Sequence, residues 1–169
     1  MTNSSLILCP VLAKKSDKKS ILRFYKDNHY SARFIGYDTC YLIKKNDKII
    51  ASVILSLGEN RPEISQIGED ILLTKSRAKP QYLLHALFVT PDYRKLGYAE
   101  SLLKHSITHH QQLVCFAQTS LNKLYLNNGF TLLFDDLMSE CLTPTLLNRF
   151  KQYSKHKTEL KVYIHQISK

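Results

Sequence analysis

Apolar and polar positions along the chain fall into short runs of two kinds, one with the alternation or continuity of strands and one with helical spacing. Residues 6–12 form an apolar run suited to a buried strand, and residues 18–30 set Ile21, Leu22, Phe24 and Tyr25 among charges, with Ser16 and Asp17 as capping residues. Residues 40–44 and 48–57 read as strands on either side of Lys45, Asn46 and Asp47, a short polar stretch suited to a hairpin. Residues 59–80, punctuated by Pro62, Gly68 and Pro80, predict a variable loop or an extra strand. Residues 82–89 predict a strand, 90–96 a polar turn, and 97–110 a helix with Ala99, Leu102, Leu103 and Ile107 inward. A strand at 113–117, a short helix at 120–127 stopped by Asn128 and Gly129, and a strand at 130–134 follow. Thr143 and Pro144 open a helix running to about Ser154, with Leu142 and Leu147 placed as a hydrophobic staple. Leu160, Val162, Ile164 and Ile167 mark a last strand. Strands and helices that alternate in this way imply a mixed α/β (α+β) architecture with about seven strands and about four helices.

The 169 residues are the size of one domain, and 44% hydrophobic with 22% charged residues is an ordinary globular composition. A single domain over residues 1–169 is therefore expected. Lys and Arg outnumber Asp and Glu by 24 to 14, a net charge of +10, which gives the sign of a partner but not its identity. No apolar stretch approaches the ~18–20 residues of a membrane span, and Lys14 and Lys15 cut short the apolar start, so a cytoplasmic protein with no membrane partner is expected. Cys9, Cys40, Cys115 and Cys141 lie far apart and read as reduced core residues. His105 and His109 would share a helix face, yet no third or fourth ligand stands near them, so no metal is expected.

The chemistry concentrates where the strand at 82–89 runs through a turn holding Arg94, Lys95 and Gly97 into a helix. Successive backbone N–H groups and a helix N-terminus would converge there beside two cations, an arrangement that binds anions and suits a diphosphate. Gly97 would let the backbone approach a pyrophosphate, and small Ala99 would keep the first turn open.

The run Arg94-Lys95-Leu96-Gly97-Tyr98-Ala99 resembles the R/QxxGxG/A acetyl-CoA loop of the GNAT superfamily of N-acetyltransferases. Upstream, Leu87, Phe88, Val89, Pro91 and Tyr93 resemble the family's LxVxPxYR lead-in, and downstream Leu124, Tyr125, Gly129 and Phe130 are similar to its LYxxxGF element. The resemblance implies an acyl-CoA N-acyltransferase fold: a mostly antiparallel central sheet whose fourth and fifth strands splay apart. It implies acetyl-CoA as co-substrate, held by the backbone of Leu87 and Val89 along the pantetheine arm and by residues 94–99 at the pyrophosphate. Gln118 stands where the family often has an Asn that touches the pantetheine, and Ala99 stands where it often has a second glycine.

The implied reaction is direct attack of a primary amine on the thioester through a tetrahedral intermediate, with much of the rate coming from alignment. Tyr125 matches the family's tyrosine facing the sulfur and is the expected general acid. The run from His85 to Val89 is similar to the HALxV of arylalkylamine N-acetyltransferases, which makes His85 the candidate base, with a water relay as the alternative. Cys115 is read as a packed core residue, not a nucleophile.

Two other readings stand beside this one. Lys14, Lys15, Lys18 and Lys19, then Lys44, Lys45 and Lys48, then Arg149, Lys151, Lys155, Lys157 and Lys161 would suit a nucleic-acid or ribosome-associated module, although no base-reading motif accompanies them. A non-catalytic acetyl-CoA binder is the other. In the implied fold the acceptor, a small-molecule or peptide amine, is expected to meet the first-helix region at about 25–38 and loops at about 59–80 and 135–143, with Tyr25, His29, Tyr30, Arg33 and Tyr37 among the lining residues. A monomer or homodimer is expected.

Overall fold

The computed structural model describes residues 8–34, 37–59 and 80–166. The loop expected at 59–80 therefore lies almost wholly outside the described residues, as do Leu6, Ile7 and Ile167. Among the described residues seven strands, β1 (Val11–Leu12), β2 (Thr39–Lys45), β3 (Lys48–Leu57), β4 (Gln81–Val89), β5 (Gln112–Gln118), β6 (Thr131–Leu133) and β7 (Leu160–Gln166), hydrogen-bond in the order β1-β2-β3-β4-β5-β7-β6, a mixed sheet. The chain divides into two compact units, Met1–Leu55 with His85–Ser106 and Ser56–Leu84 with Ile107–Lys169, so β4 (Gln81–Val89) contributes to both.

The first unit carries β1 (Val11–Leu12), α1 (Lys18–Asp27), β2 (Thr39–Lys45), most of β3 (Lys48–Leu57), the second half of β4 and most of α2 (Tyr98–His109). The β2–β3 hairpin forms as expected: Lys45 pairs with Lys48, and Asn46 and Asp47 take φ of 48° and 62°. Positive φ at both central residues is what a two-residue type I′ connection demands, and Asn and Asp tolerate it better than most residues. On α1, Ile21, Phe24 and Tyr25 recur at i, i+3, i+4 and are the buried face. They pack with Cys40, Leu42, Ile54 and Ala86.

Several expectations need correction in this unit. β1 starts only at Val11, because Leu8, Cys9 and Pro10 are irregular and Pro10 has no N–H to donate. Asp17 does not cap α1 with its side chain; its carboxylate accepts from the Lys14 amide at 2.7 Å and from Lys44 Nζ at 2.9 Å. The Lys44 ammonium holds the Asp17 carboxyl below the usual carboxylate range, and the ion pair offsets part of the positive field that Lys44 would add to a basic cluster. On α2, Leu102, Leu103 and Ser106 are the buried residues, while Ala99 and Ile107 are half-buried. Ser106 is tolerated inside because its hydroxyl donates to the Leu102 carbonyl at 2.8 Å.

In the second unit, β5 (Gln112–Gln118) lies parallel to β4 from Gln81 to Leu84 and antiparallel to β7 (Leu160–Gln166), which pairs in turn with β6 (Thr131–Leu133). The helices are α3 (Asn122–Asn127), α4 (Asp135–Cys141) and α5 (Pro144–Ser154). The described residues thus hold five α-helices; α4 occupies most of the stretch expected to be a loop at 135–143. Asp135 and Asp136 in its first turn complement the helix dipole and were the available signal. Thr143 caps α5, its Oγ1 accepting from the Leu146 amide at 3.3 Å, and both Leu142 and Leu147 pack on the core of Leu83, Val114, Leu146, Phe150 and Val162.

The same Thr143 ties the start of α5 to the end of β3 and to β4. Its hydroxyl donates to the Gly58 carbonyl at 2.7 Å, its amide donates to Gln81 Oε1 at 3.0 Å, and Gln81 Nε2 donates to the Cys141 carbonyl at 2.6 Å. The Gly58 amide closes the knot on the Gln81 carbonyl at 2.7 Å. A Cβ on Gly58 would stand 2.8 Å from that carbonyl oxygen and 2.7 Å from Leu146 Cδ1. Gly58→Ala is accordingly expected to destabilise the fold by about 1–3 kcal/mol in denaturant unfolding, since a backbone oxygen cannot step aside as a side-chain tip can. An unchanged midpoint would show that the approach is not constraining.

Candidate active site

In the first unit β4 ends at Val89, and the Thr90 amide donates to the Ile50 carbonyl at 2.9 Å, anchoring the exit to β3. A 3₁₀ turn over Pro91–Tyr93 follows, closed by Tyr93 N to Thr90 O at 3.0 Å and Arg94 N to Pro91 O at 3.2 Å. Beyond it Lys95 and Gly97 take φ of 61° and 82°, and α2 begins at Tyr98, with the Gly97 carbonyl accepting from Ser101 N. Among the described residues, the amides of Lys95, Leu96, Gly97, Tyr98 and Ala99 have no protein acceptor, and residues 94–97 are exposed. Left-handed residues leading into a helix N-terminus turn successive N–H groups the same way, a nest whose geometry suits an anion. A Cβ on Gly97 would meet nothing within 4 Å, so the glycine serves its φ and not a lack of room. Lys95 holds the same region without that freedom, at a cost of about 1–3 kcal/mol.

Arg94 braces the loop. Its Nε donates to the Val89 carbonyl at 3.0 Å, and its guanidinium lies 5.5 Å from the Phe88 ring centre. One lone pair of the Val89 carbonyl is therefore already engaged. Leu87 and Phe88 are half-buried and Val89 is buried. Lys45 Nζ sits 5.2 Å from the Tyr93 ring, on the neighbouring turn.

His85 is half-buried on β4, and the next residue breaks the pleat: Ala86 is buried with φ of 53°. The Tyr25 hydroxyl lies 2.7 Å from the Ala86 carbonyl and 2.9 Å from Ser52 Oγ, which is 3.3 Å from Cys40 Sγ. A carbonyl can only accept, so the phenol donates to Ala86; the Ser52 hydroxyl then donates to the Tyr25 oxygen, and the Cys40 thiol to Ser52. Burial raises the Tyr25 phenol above its ordinary range and pushes the Cys40 thiol up to about 11, so both donors keep their protons at neutral pH. Tyr25 is buried with its hydroxyl engaged by Ala86 and Ser52, which corrects its expected place among acceptor-lining residues. His29, Tyr30, Arg33 and Tyr37 are exposed. Sequence reasoning found Tyr25 as a helical core position but had no way to see its partner sixty-one residues on.

The remaining candidates belong to the second unit. Gln118 ends β5, exposed, paired with Leu160, and leads into a 3₁₀ turn over Thr119–Leu121. On α3 the Tyr125 ring is 3% exposed, stacked on Tyr163 at 5.1 Å and edge-on to Phe130 at 5.4 Å. Gly129 with φ of 81° turns the chain so that the Asn128 and Phe130 amides both donate to the Tyr125 carbonyl at 3.1 Å. The Tyr125 hydroxyl hydrogen-bonds the Cys115 sulfur; burial nonetheless pushes that thiol up to about 12 and keeps it protonated at neutral pH. Of the two histidines considered as a metal pair, His105 is half-buried with its ring edge-on to Tyr41 at 4.6 Å, and His109 is exposed. Among the described residues no helix is long and apolar enough to cross a membrane.

The model of the Acetyltransferase (GNAT) family matches residues 12–130, which includes residues of both units. No curated protein sequence matches the chain. Among solved structures, it is similar to N-acetylglutamate synthase from Neisseria gonorrhoeae complexed with coenzyme A and N-acetyl-glutamate, at 15% identity and a TM-score of 0.58 over 95% of this chain. The chain spans 35% of that synthase's length. It is also similar to Arabidopsis thaliana Naa50 in complex with the bisubstrate analogue CoA-Ac-MVNAL, at 13% identity and a TM-score of 0.56, covering 95% of this chain and 100% of that one. A third is FeeM, an N-acyl amino acid synthase from uncultured soil microbes, at 12% identity and a TM-score of 0.53, covering 95% and 92%. These likenesses concern the fold. With the family match over most of the chain and a nest of unpaired amides between β4 and α2, the chain belongs to the GNAT acetyltransferase family.

Proposed function

We propose that residues 1–169 act as one acetyl-CoA-dependent N-acetyltransferase domain whose acceptor is a primary amine on a small molecule or a peptide. The observation that carries this reading is the row of unpaired amides from Lys95 to Ala99, flanked by the cations of Arg94 and Lys95. Amides so oriented favour a diphosphate, and charge-assisted hydrogen bonds are about twice as strong as neutral ones. The net charge of +10 favours the same polyanionic co-substrate. The N-acetylglutamate synthase complexed with coenzyme A and N-acetyl-glutamate, and Naa50 in complex with the bisubstrate analogue CoA-Ac-MVNAL, share this fold and agree with this class of reaction.

When bound, acetyl-CoA supplies the activated acyl group. The Leu87–Val89 backbone holds the pantetheine arm, and Gln118 supports it with an amide that both donates and accepts. His85 accepts the proton that a protonated amine must lose before it can attack, directly or through water. Tyr125 donates a proton to the departing thiolate. Its neighbour Cys115 is protonated at neutral pH and so does not compete for that proton, and for the same reason is a poor nucleophile. No metal and no acyl-enzyme enter the scheme.

The test has two arms. Acetyl-CoA at a hundredfold excess over its Kd should stabilise the protein by about 2.7 kcal/mol in thermal unfolding, while RNA should not. Thiol release across a panel of amines should then separate an enzyme from a silent binder; stabilisation by RNA alone would defeat the proposal. Arg94→Ala should weaken acetyl-CoA binding about tenfold in calorimetry, because it removes both a cation and the brace on Val89.

A further inference from the structure

We infer that Tyr25 is a positioning residue for the acetyl-CoA site, its hydroxyl fixing the left-handed break in β4 at Ala86 and thereby the backbone on either side, at His85 and Leu87. The inference rests on the acetyltransferase reading above, which places the candidate base and the start of the pantetheine contact on those two flanking residues. Four observations carry it. Ala86 is one of five non-glycine residues with positive φ among those described; it is the one inside a strand. Its carbonyl is met at 2.7 Å by a phenol arriving from α1. That phenol is itself held by Ser52 from β3, which Cys40 of β2 supports in turn. The whole chain of donors is buried, with Ser52 at 0%, Cys40 at 1% and Tyr25 at 2% exposure, so no water can replace a missing member.

An alanine adopts φ of 53° only where its surroundings compel it. Without the Tyr25 donor, the buried Ala86 carbonyl would lose the hydrogen bond that holds it in this conformation, and the strand would relax toward regular extended geometry. One residue's change of φ in a strand re-aims its neighbours, because side chains and ladder groups alternate with a period of two. The register at His85 and Leu87 would then be lost, while the loop at residues 94–99, beyond the Thr90 anchor, would keep its form. Tyr25 touches no reacting atom in this scheme; it acts through Ala86.

The experiment measures binding of acetyl-CoA and of 3′-phospho-ADP, which carries the phosphates without the pantetheine arm, to the intact protein and to Tyr25→Phe. Acetyl-CoA affinity should fall about tenfold in Tyr25→Phe, whereas the affinity for 3′-phospho-ADP should stay unchanged. Adding Ala86→Gly to Tyr25→Phe should recover part of the loss, because glycine reaches positive φ unaided. Equal loss of both ligands, or no loss of either, overturns the inference. Should Tyr25→Phe fold poorly, Ser52→Ala removes the support behind the phenol, and amide chemical shifts at His85 and Leu87 must move in it; if they do not, the inference is wrong. Failure of the unaltered protein to bind acetyl-CoA would instead remove the parent reading, and this inference with it.

Discussion

Tyr125→Phe should lower kcat about a hundredfold, within the range that loss of a positioned general acid produces, while acetyl-CoA affinity holds. The substitution is a clean one because the ring's packing survives. Stacking on Tyr163 and the edge contact with Phe130 need only the aromatic plane, and the Cys115 thiol that the hydroxyl meets is a weak hydrogen-bonding group. Stability should therefore change little, and a fall in kcat would report chemistry. The pH profile gives a second reading: the alkaline limb belonging to the acid should disappear in Tyr125→Phe. Unchanged turnover with an unchanged profile would leave Tyr125 as a packed core residue and shift proton delivery to water.

Gly97→Val should weaken acetyl-CoA binding about a hundredfold, with little change in the unfolding temperature. A β-branched residue at φ of 82° is a steric outlier, so the loop would leave the left-handed region and rotate its amides away from one direction. Losing one or two charge-assisted amide contacts at about 1.5–3 kcal/mol each accounts for the magnitude. The fold should tolerate the change because the exposed loop can relieve the strain by leaving the left-handed region, and the added Cβ meets no atom within 4 Å. Calorimetry reads the affinity, and thermal unfolding without ligand is the control. An affinity equal to that of the unaltered protein would mean the nest is not where the diphosphate goes.

These two tests rest on parts of the molecule that differ in how far sequence disclosed them. The loop at residues 94–99 was legible as a motif and as physical chemistry, since a strand, a turn with two cations and a glycine, and a helix start stand in immediate succession. Tyr125 was legible only as a motif position; that its ring lies between Tyr163 and Phe130 and its hydroxyl meets Cys115 comes from strands paired after the chain has returned. α4 went unread because seven residues with one fully buried side chain, Met138, give too short a period to distinguish from a loop.

What the amino-acid order determined by itself is what is local: the Asn46-Asp47 turn, the Thr143-Pro144 helix start, the Gly129 stop and the unpaired amides that open α2. Each follows from dihedral preferences and hydrogen-bonding groups within about five residues of one another. What only tertiary structure decided is long-range: the φ of Ala86, compelled by a phenol on α1, and the Gly58–Gln81–Thr143 knot that seats α5. Alanine has no intrinsic reason to turn left-handed, and no residue near it in sequence supplies the donor that makes it do so. Such a conformation exists only once burial has excluded water and left one partner for each polar group.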